Sequence, residues 1–335
     1  MSAETAPSGR TFESPGGGRR LVSSLLSTGT IFLLLAVLWI WIAILNPHFL
    51  EPGPFLAYLK RSAPLVILAA GSYFVLISGG FDLSVGSIVT VTVVVAARLI
   101  DGDPSKAWPV IVLLLVIGAA VGLFNGFVST VLRVPSFITT LGMLLILRGA
   151  VFLWTGGSPK GALSDNFRSI GRLGIEGVPV IDQLPWSVLL MVAIGAAATW
   201  LVRADYGRQL LATGDNDLAA RLSGVRVDRV RILAFVISGT LAALAGILLG
   251  GFAGVSAQVG QGLEFDAITA CVLGGVVLGG GRGSVVAAMA GALTLEALFT
   301  WLNLQGISGA LEDTVQGVII IAAVAFAAYR LRGAR

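Results

Sequence analysis

An all-α polytopic membrane protein with about ten transmembrane helices is the fold class this sequence predicts. Three observations predict it. Of the 335 residues, 56% are hydrophobic and 12% charged, at a mean hydropathy of +0.92, which leaves too little polar surface to solvate a globule. The apolar runs reach roughly 20 residues, the length that crosses a ~30 Å hydrocarbon core as a helix with its backbone polar groups satisfied internally. The alternating segments of about ten residues that mark a transmembrane β-barrel do not occur.

Taken in order, residues 1–20 are rich in Ser, Gly, Pro and Thr and read as a disordered cytoplasmic tail. Residues 21–335 read as one transmembrane domain. Its first span, 25–45, is too long for a signal-peptide core and is expected to be retained. The Pro- and Gly-containing segment Asn46 to Lys60 reads as a loop. Further spans are expected at 62–79, 83–100, 109–132, 136–154, 185–202, 232–253, 266–280, 284–302 and 312–330. Many glycines recur every four residues (Gly118, Gly122, Gly126; Gly246, Gly250, Gly254; Gly275, Gly279, Gly283), the spacing that lets helix backbones approach closely in lipid.

The most polar interval, 203–231, separates the sixth and seventh spans and holds six arginines and four aspartates. With ten spans and the N-terminus inside, the inner segments carry 14 Lys and Arg residues and the outer ones 6. The positive-inside rule then places both termini and this interval in the cytoplasm. The formal charge of +4 and pI near 9.6 report that topology, so nucleic acid is not an expected partner. Within the interval, Asp215 or Asn216 can cap a short helix, Leu218, Leu222 and Val225 recur at helical spacing, and Gly224 suits a stop. Two turns are unstable alone in water, so the helix needs a partner, whether protein or the surface of anionic lipid.

Chemistry-bearing motifs are sparse. Cys271 is the single cysteine and His48 the single histidine, which argues against a disulfide, a metal cluster or His-based catalysis. No phosphate-binding Gly-x-x-x-x-Gly-Lys-Ser/Thr loop and no Gly-x-Ser-x-Gly elbow is present. The stretch Ile77-Ser-Gly-Gly-Phe-Asp82-Leu-Ser84-Val-Gly-Ser87 breaks two apolar runs around an acid. Asp82 and Ser84 can each cap the helix that follows, in the membrane interior or in a tight turn outside it. Arg148 can pair with Glu296 or snorkel to an interface. Gly262-Leu-Glu264-Phe-Asp266 faintly echoes the first break. If spans 2–5 and 7–10 are an inverted repeat, the two junctions correspond.

Several of these segments, Ser78 to Ser87, Pro135 to Gly142 with Arg148-Gly149, Ala212 to Asn216 with Ala219 to Gly224, and Phe265 to Ile268 with Gly274-Gly275 and Gly279 to Gly283, resemble in order the permease subunits of ribose-type bacterial ABC sugar importers. Phe81 and Asp215 depart from that pattern. The resemblance implies a permease domain in the bacterial cytoplasmic membrane, paired with a second permease subunit as homo- or heterodimer. It further implies a cytoplasmic ABC ATPase that binds ATP and Mg, and a periplasmic or lipid-anchored solute-binding protein. This chain would then hold no cofactor, perform no covalent chemistry and move a sugar, such as a pentose or hexose, by alternating access. Ala212, Gly214, Asn216, Ala219, Ala220, Leu222 and Gly224 would form the ATPase-coupling element. Asp82, Ser84, Thr139, Thr140, Glu264 and Asp266 are the candidate polar groups of the route, and Gly156 to Pro185 is the expected outer loop facing the binding protein. A nucleoside ABC permease and a proton-coupled secondary transporter are the competing expectations.

Overall fold

The computed structural model describes residues 17–322, apart from Val180 and residues 308, 310, 312, 313 and 320. Helix α1 spans Gly17–Leu45, so the end of the expected tail is helical, and residues 1–16 lie outside the described residues. After a short 3₁₀ turn, α2 spans Pro52–Ile77. It begins inside the segment read as a loop, because prolines in a first turn forgo only amide hydrogens that have no helical partner. Then come α3 (Val85–Ile100), α4 (Ala107–Thr130), α5 (Ser136–Thr155) and α6 (Asp165–Arg172), followed by strands β1 (Gly174–Val178) and β2 (Ile181–Pro185). The second half of the chain forms α7 (Trp186–Arg203), α8 (Asp205–Asp215), α9 (Asp217–Leu222), α10 (Val227–Phe252), α11 (Leu263–Leu273) and α12 (Val285–Leu304).

Six of the described helices are long and apolar enough to cross a membrane: α2, α4, α5, α7, α10 and α12. The apolar part of α1, Gly29–Leu45, and α3 are shorter. The expected eighth span, 266–280, is not one continuous helix long enough to cross. Its helix α11 has 11 residues, roughly 16 Å, and stops where Gly274-Gly275 opens a run of turns. Hydropathy cannot register that stop, since glycine is not polar. Of the expected tenth span, residues 314–319, 321 and 322 are helical, and 323–330 lie outside the described residues.

Packing organises the bundle around α2 and α10. The central window of α2 is 89% buried, and α2 contacts α10, α12, α7 and α11. In turn α10 lies on α4, α2 and α3. The two long helices thus exchange partners, α2 lying on α11 and α12 while α10 lies on α3 and α4. That exchange is compatible with the expected inverted repeat. The α4 glycines act as foreseen: a Cβ at Gly118, Gly122 or Gly126 would collide with the α10 backbone at Gly239, Phe235 and Ile232 respectively. The series Gly275, Gly279, Gly283 instead lies in turns after α11, so it is no helix face. The segment expected to be the outer loop is built rather than slack. Phe167 of α6 is fully buried beside Gly250 of α10, and β1 and β2 form an antiparallel hairpin with Ile175 opposite Leu184.

Candidate functional site

Two interruptions, 78–84 and 253–262, meet inside the bundle. Helix α2 stops in a Schellman turn: Gly80 N–H donates to Val75 O at 3.0 Å and Gly79 N–H to Leu76 O at 3.0 Å. Gly79 takes φ +85°, a left-handed conformation that a side chain would strain. Helix α11 ends the same way, with Gly275 at φ +80°. Beyond Gly80 the chain has no regular structure up to α3, and Phe81 N–H donates to Ser136 Oγ at 3.0 Å. Asp82 is 4% exposed. Its Oδ1 accepts from Ser84 Oγ at 2.6 Å and from Ser84 N–H at 3.0 Å. Its Oδ2 accepts from Ser238 Oγ of α10 at 2.8 Å, and Asn125 Nδ2 of α4 donates to Ser84 Oγ at 2.9 Å. Three donors thus bind one buried acid, and Asn125 supports one of them from α4, the arrangement a carboxylate needs away from water.

Register along α10 places the break. Asp82 meets Ser238, eleven residues into this 26-residue helix, roughly 17 Å along its axis. From there α3 runs alongside the second half of α10, with Thr92 against Gly246 and Val93 against Gly250. Glu264, in the first turn of α11, lies against Gly86, in the first turn of α3; a Cβ on Gly86 would overlap the Glu264 carboxylate and Gly260 O. From that point α11 runs back the other way, since Gly281 N–H after it reaches Ile77 O at 2.9 Å. Two short helices therefore start side by side about half-way along α10 and run in opposite directions. Gly260 N–H donates to Thr90 Oγ1 at 3.1 Å and ties the second break to α3. A small cleft remains, lined by Ser87 and Thr90 of α3, Arg148 of α5, and Gln258, Gln261 and Glu264. Starts of discontinuous helices leave backbone N–H groups for a polar solute, as in transporters with paired half-helices.

At the far end of the break sits the 203–231 interval, now resolved into α8 and α9. Asn216 Oδ1 caps α9 by accepting from Ala219 N–H at 3.0 Å. A third Schellman pair at Gly224 stops it: Val225 N–H donates to Ala220 O and Gly224 N–H to Arg221 O, both at 3.0 Å. Gly214 packs directly on Ile77 O and Gly281 N. Arg221 bonds both Asp217, at 2.9 Å, and Asp228, and those bonds, Asp228 first, hold its guanidinium above its ordinary high value. Arg231 reaches Asp217 Oδ2 through Nη1 at 3.1 Å and Ser78 O through Nε at 3.2 Å.

The structure gathers the expected route residues at the two breaks. Asp82, Ser84 and Thr140, whose Oγ1 donates to Ser136 O at 2.9 Å, surround the first, and Glu264 and Asp266 sit in the first turn of α11. Thr139 is also in the first turns of α5, its Oγ1 buried without a hydrogen-bond partner. Of the coupling set, Ala212, Asn216, Ala219, Leu222 and Gly224 are exposed, Gly214 is half-buried and Ala220 is buried at 4% exposure. Ala220 therefore faces inward while Ala219 faces outward. The residues that protrude are Leu218, 68% exposed, and Leu222, 81% exposed. Arg148 does not meet Glu296, which lies 4.0 Å from Arg61; it lines the Glu264 cleft. Asn125 and Ser238 escaped the sequence reading, although a lone amide in the apolar run of α4 was a usable signal. No group of three or more metal-ligating side chains occurs among the described residues.

Residues 55–324 match the family model described as "Branched-chain amino acid transport system / permease component". The ribose import permease protein RbsC of Escherichia coli (strain K12) is 35% identical over 317 residues, 94% of this chain and 98% of the relative. That of Bacillus subtilis (strain 168) is 37% identical, over 88% of this chain and 90% of its own length. The autoinducer 2 import system permease protein LsrC of Enterobacter sp. (strain 638) is 39% identical, over 87% and 83%. No solved structure matches.

Proposed function

The chain belongs to the family of transport-system permease components, and from that membership we propose that it is the membrane-spanning permease subunit of an ATP-driven importer for a monosaccharide or similarly small polyol. Although the family model is described by amino acid transport, the similar relatives over nearly the whole chain are importers of ribose and of autoinducer 2. A neutral polyol also suits a route that offers hydroxyl, amide and carboxylate groups one at a time. ATP and Mg belong to a cytoplasmic ATPase, and a solute-binding protein delivers substrate at the opposite face.

One observation carries the reading: α9 is locked on its inner side to the 78–84 break and bare on its outer side. Ala220 faces inward, Asp217 binds Arg231 and thereby Ser78, and Leu218 and Leu222 project at i and i+4. A two-turn helix with two exposed leucines fits a groove in a soluble partner, the coupling-helix arrangement. The second permease subunit would close the route on the open side of α5, whose central window is only 17% buried. Alternating access then consists of moving α3 and α11 about their common starting point.

The test is reconstitution with the cognate ATPase and binding protein. Leu218→Glu with Leu222→Glu should leave melting temperature and membrane insertion unchanged, abolish co-purification of the ATPase and reduce ATP-dependent uptake at least twenty-fold. Uptake by this chain alone that follows a proton gradient would overturn the reading in favour of a secondary transporter.

A further inference from the structure

We propose that Arg231 is a positioning residue that ties the location of the 78–84 break to α9. The inference rests on the coupling reading of α9 but makes a claim about this chain alone. The geometry is specific. The Arg231 side chain contacts both elements, donating from Nη1 to Asp217 of α9 and from Nε to the carbonyl of Ser78, the C-cap of α2. A helix end leaves its last carbonyls without helical partners and carries partial negative charge, so a guanidinium there is favourable twice over. The neighbouring carbonyl, Ile77 O, is taken by Gly281 N–H, which closes the end of α2 from its other side.

Helix α10 supplies the frame. Arg231, Phe235 and Ser238 lie at i, i+4 and i+7 on one face of it, and they meet the break in order: Arg231 at Ser78, the Phe235 ring beside Gly80, Ser238 at Asp82. Both ends of the break are therefore pinned to one rigid helix, over two turns, roughly 10.5 Å. The Ser238 end is buried and internally matched. The Arg231 end is 28% exposed and shares its arginine with Asp217, which also accepts from Arg221. Displacement of α9 withdraws a carboxylate from Arg231 and so alters the hold on Ser78, leaving the Asp82 anchor as the pivot. Lysine offers no planar fork and does not reproduce two bonds in divergent directions.

The experiment measures amide hydrogen exchange at Gly79, Gly80 and Phe81 in the full-length chain in nanodiscs, followed by ATP turnover and uptake in the assembled complex. Asp217→Asn and Arg231→Gln should each speed exchange at those amides about five-fold or more. The double variant should exchange no faster than Arg231→Gln alone, because both changes cut one connection. Arg231→Lys should behave as Arg231→Gln. In the complex, Arg231→Gln should retain ATP turnover within two-fold while uptake per ATP falls at least five-fold, a split that a general loss of stability does not produce. Unchanged exchange in Asp217→Asn, or additive exchange in the double variant, overturns the proposal. A non-additive exchange cycle supports it even if α9 proves not to bind the ATPase, in which case only the coupling reading fails.

Discussion

The two breaks are built from different materials. The first, 78–84, is held by side chains: Asp82 collects Ser84 and Ser238, and Asn125 joins through Ser84. The second, 253–262, is held mainly by close approach at glycines: Gly260 packs on Gly86 and its N–H donates to Thr90 Oγ1, and the Glu264 carboxylate lies against Gly86. The carboxylates differ accordingly. Asp82 has every oxygen engaged inside the protein, whereas Glu264 borders the cleft it shares with Arg148, Gln258 and Gln261. An acid locked in a network anchors a fold; an acid on a cleft wall is available to a passing solute. On the proposed function, we infer anchoring for the first break and transport for the second, the division that the following variants test.

The largest expected effect comes where the two breaks touch. Gly86→Val places a branched side chain into the space of the Glu264 carboxylate and Gly260 O. The Gly260 carbonyl belongs to the backbone and cannot yield without separating α3 from the second break. The variant should fail to give monodisperse protein from membranes, read by size-exclusion chromatography; normal recovery would mean that the breaks are not packed together.

Next comes the anchor itself. Asp82→Ala leaves the hydroxyls of Ser84 and Ser238 and the Ser84 N–H without their acceptor in a buried site. That should cost about 3 kcal/mol and lower the melting temperature in detergent by several degrees. Asp82→Asn keeps an acceptor for Ser84 and can donate to Ser238, so about 1 kcal/mol is expected. Equal losses in the two variants would show that the network contributes no more than a single contact.

Much of this was legible in the sequence, and the misses share a cause. The break at Ser78 to Ser84 announced itself because an acid inside apolar surroundings is conspicuous. Asn216 and Gly224 announced the ends of α9 because capping is local chemistry. By contrast, the true length of α11 and the turns after it hide among Gly, Val and Leu, where hydropathy is uniform. The inward orientation of Ala220 was not legible, because a small residue reads alike whether it faces its own protein or a partner. Ser238 and Asn125 depend on which helices meet, and so does Arg231, whose two partners lie 14 and 153 residues away in the chain.

The smallest effect on stability, and the sharpest separation of the two breaks, is expected from Glu264→Gln. The amide has nearly the same shape as the carboxylate, so the close approach to Gly86 is retained. No ion pair within 4.0 Å is lost, since none to Glu264 exists among the described residues, and the exposed Arg148 across the cleft keeps its access to water. The stability change should stay under about 1 kcal/mol, with ATP turnover in the assembled complex preserved. Uptake should nevertheless fall, because a charged acceptor binds a hydroxyl roughly twice as strongly as a neutral one, and a route that meets a polyol one group at a time depends on such acceptors. Asp82→Asn should do the reverse, disturbing stability more than the ratio of uptake to ATP hydrolysed. If Glu264→Gln and Asp82→Asn change both quantities in the same proportion, the division into an anchoring break and a transporting break is wrong, and both acids serve one structural role.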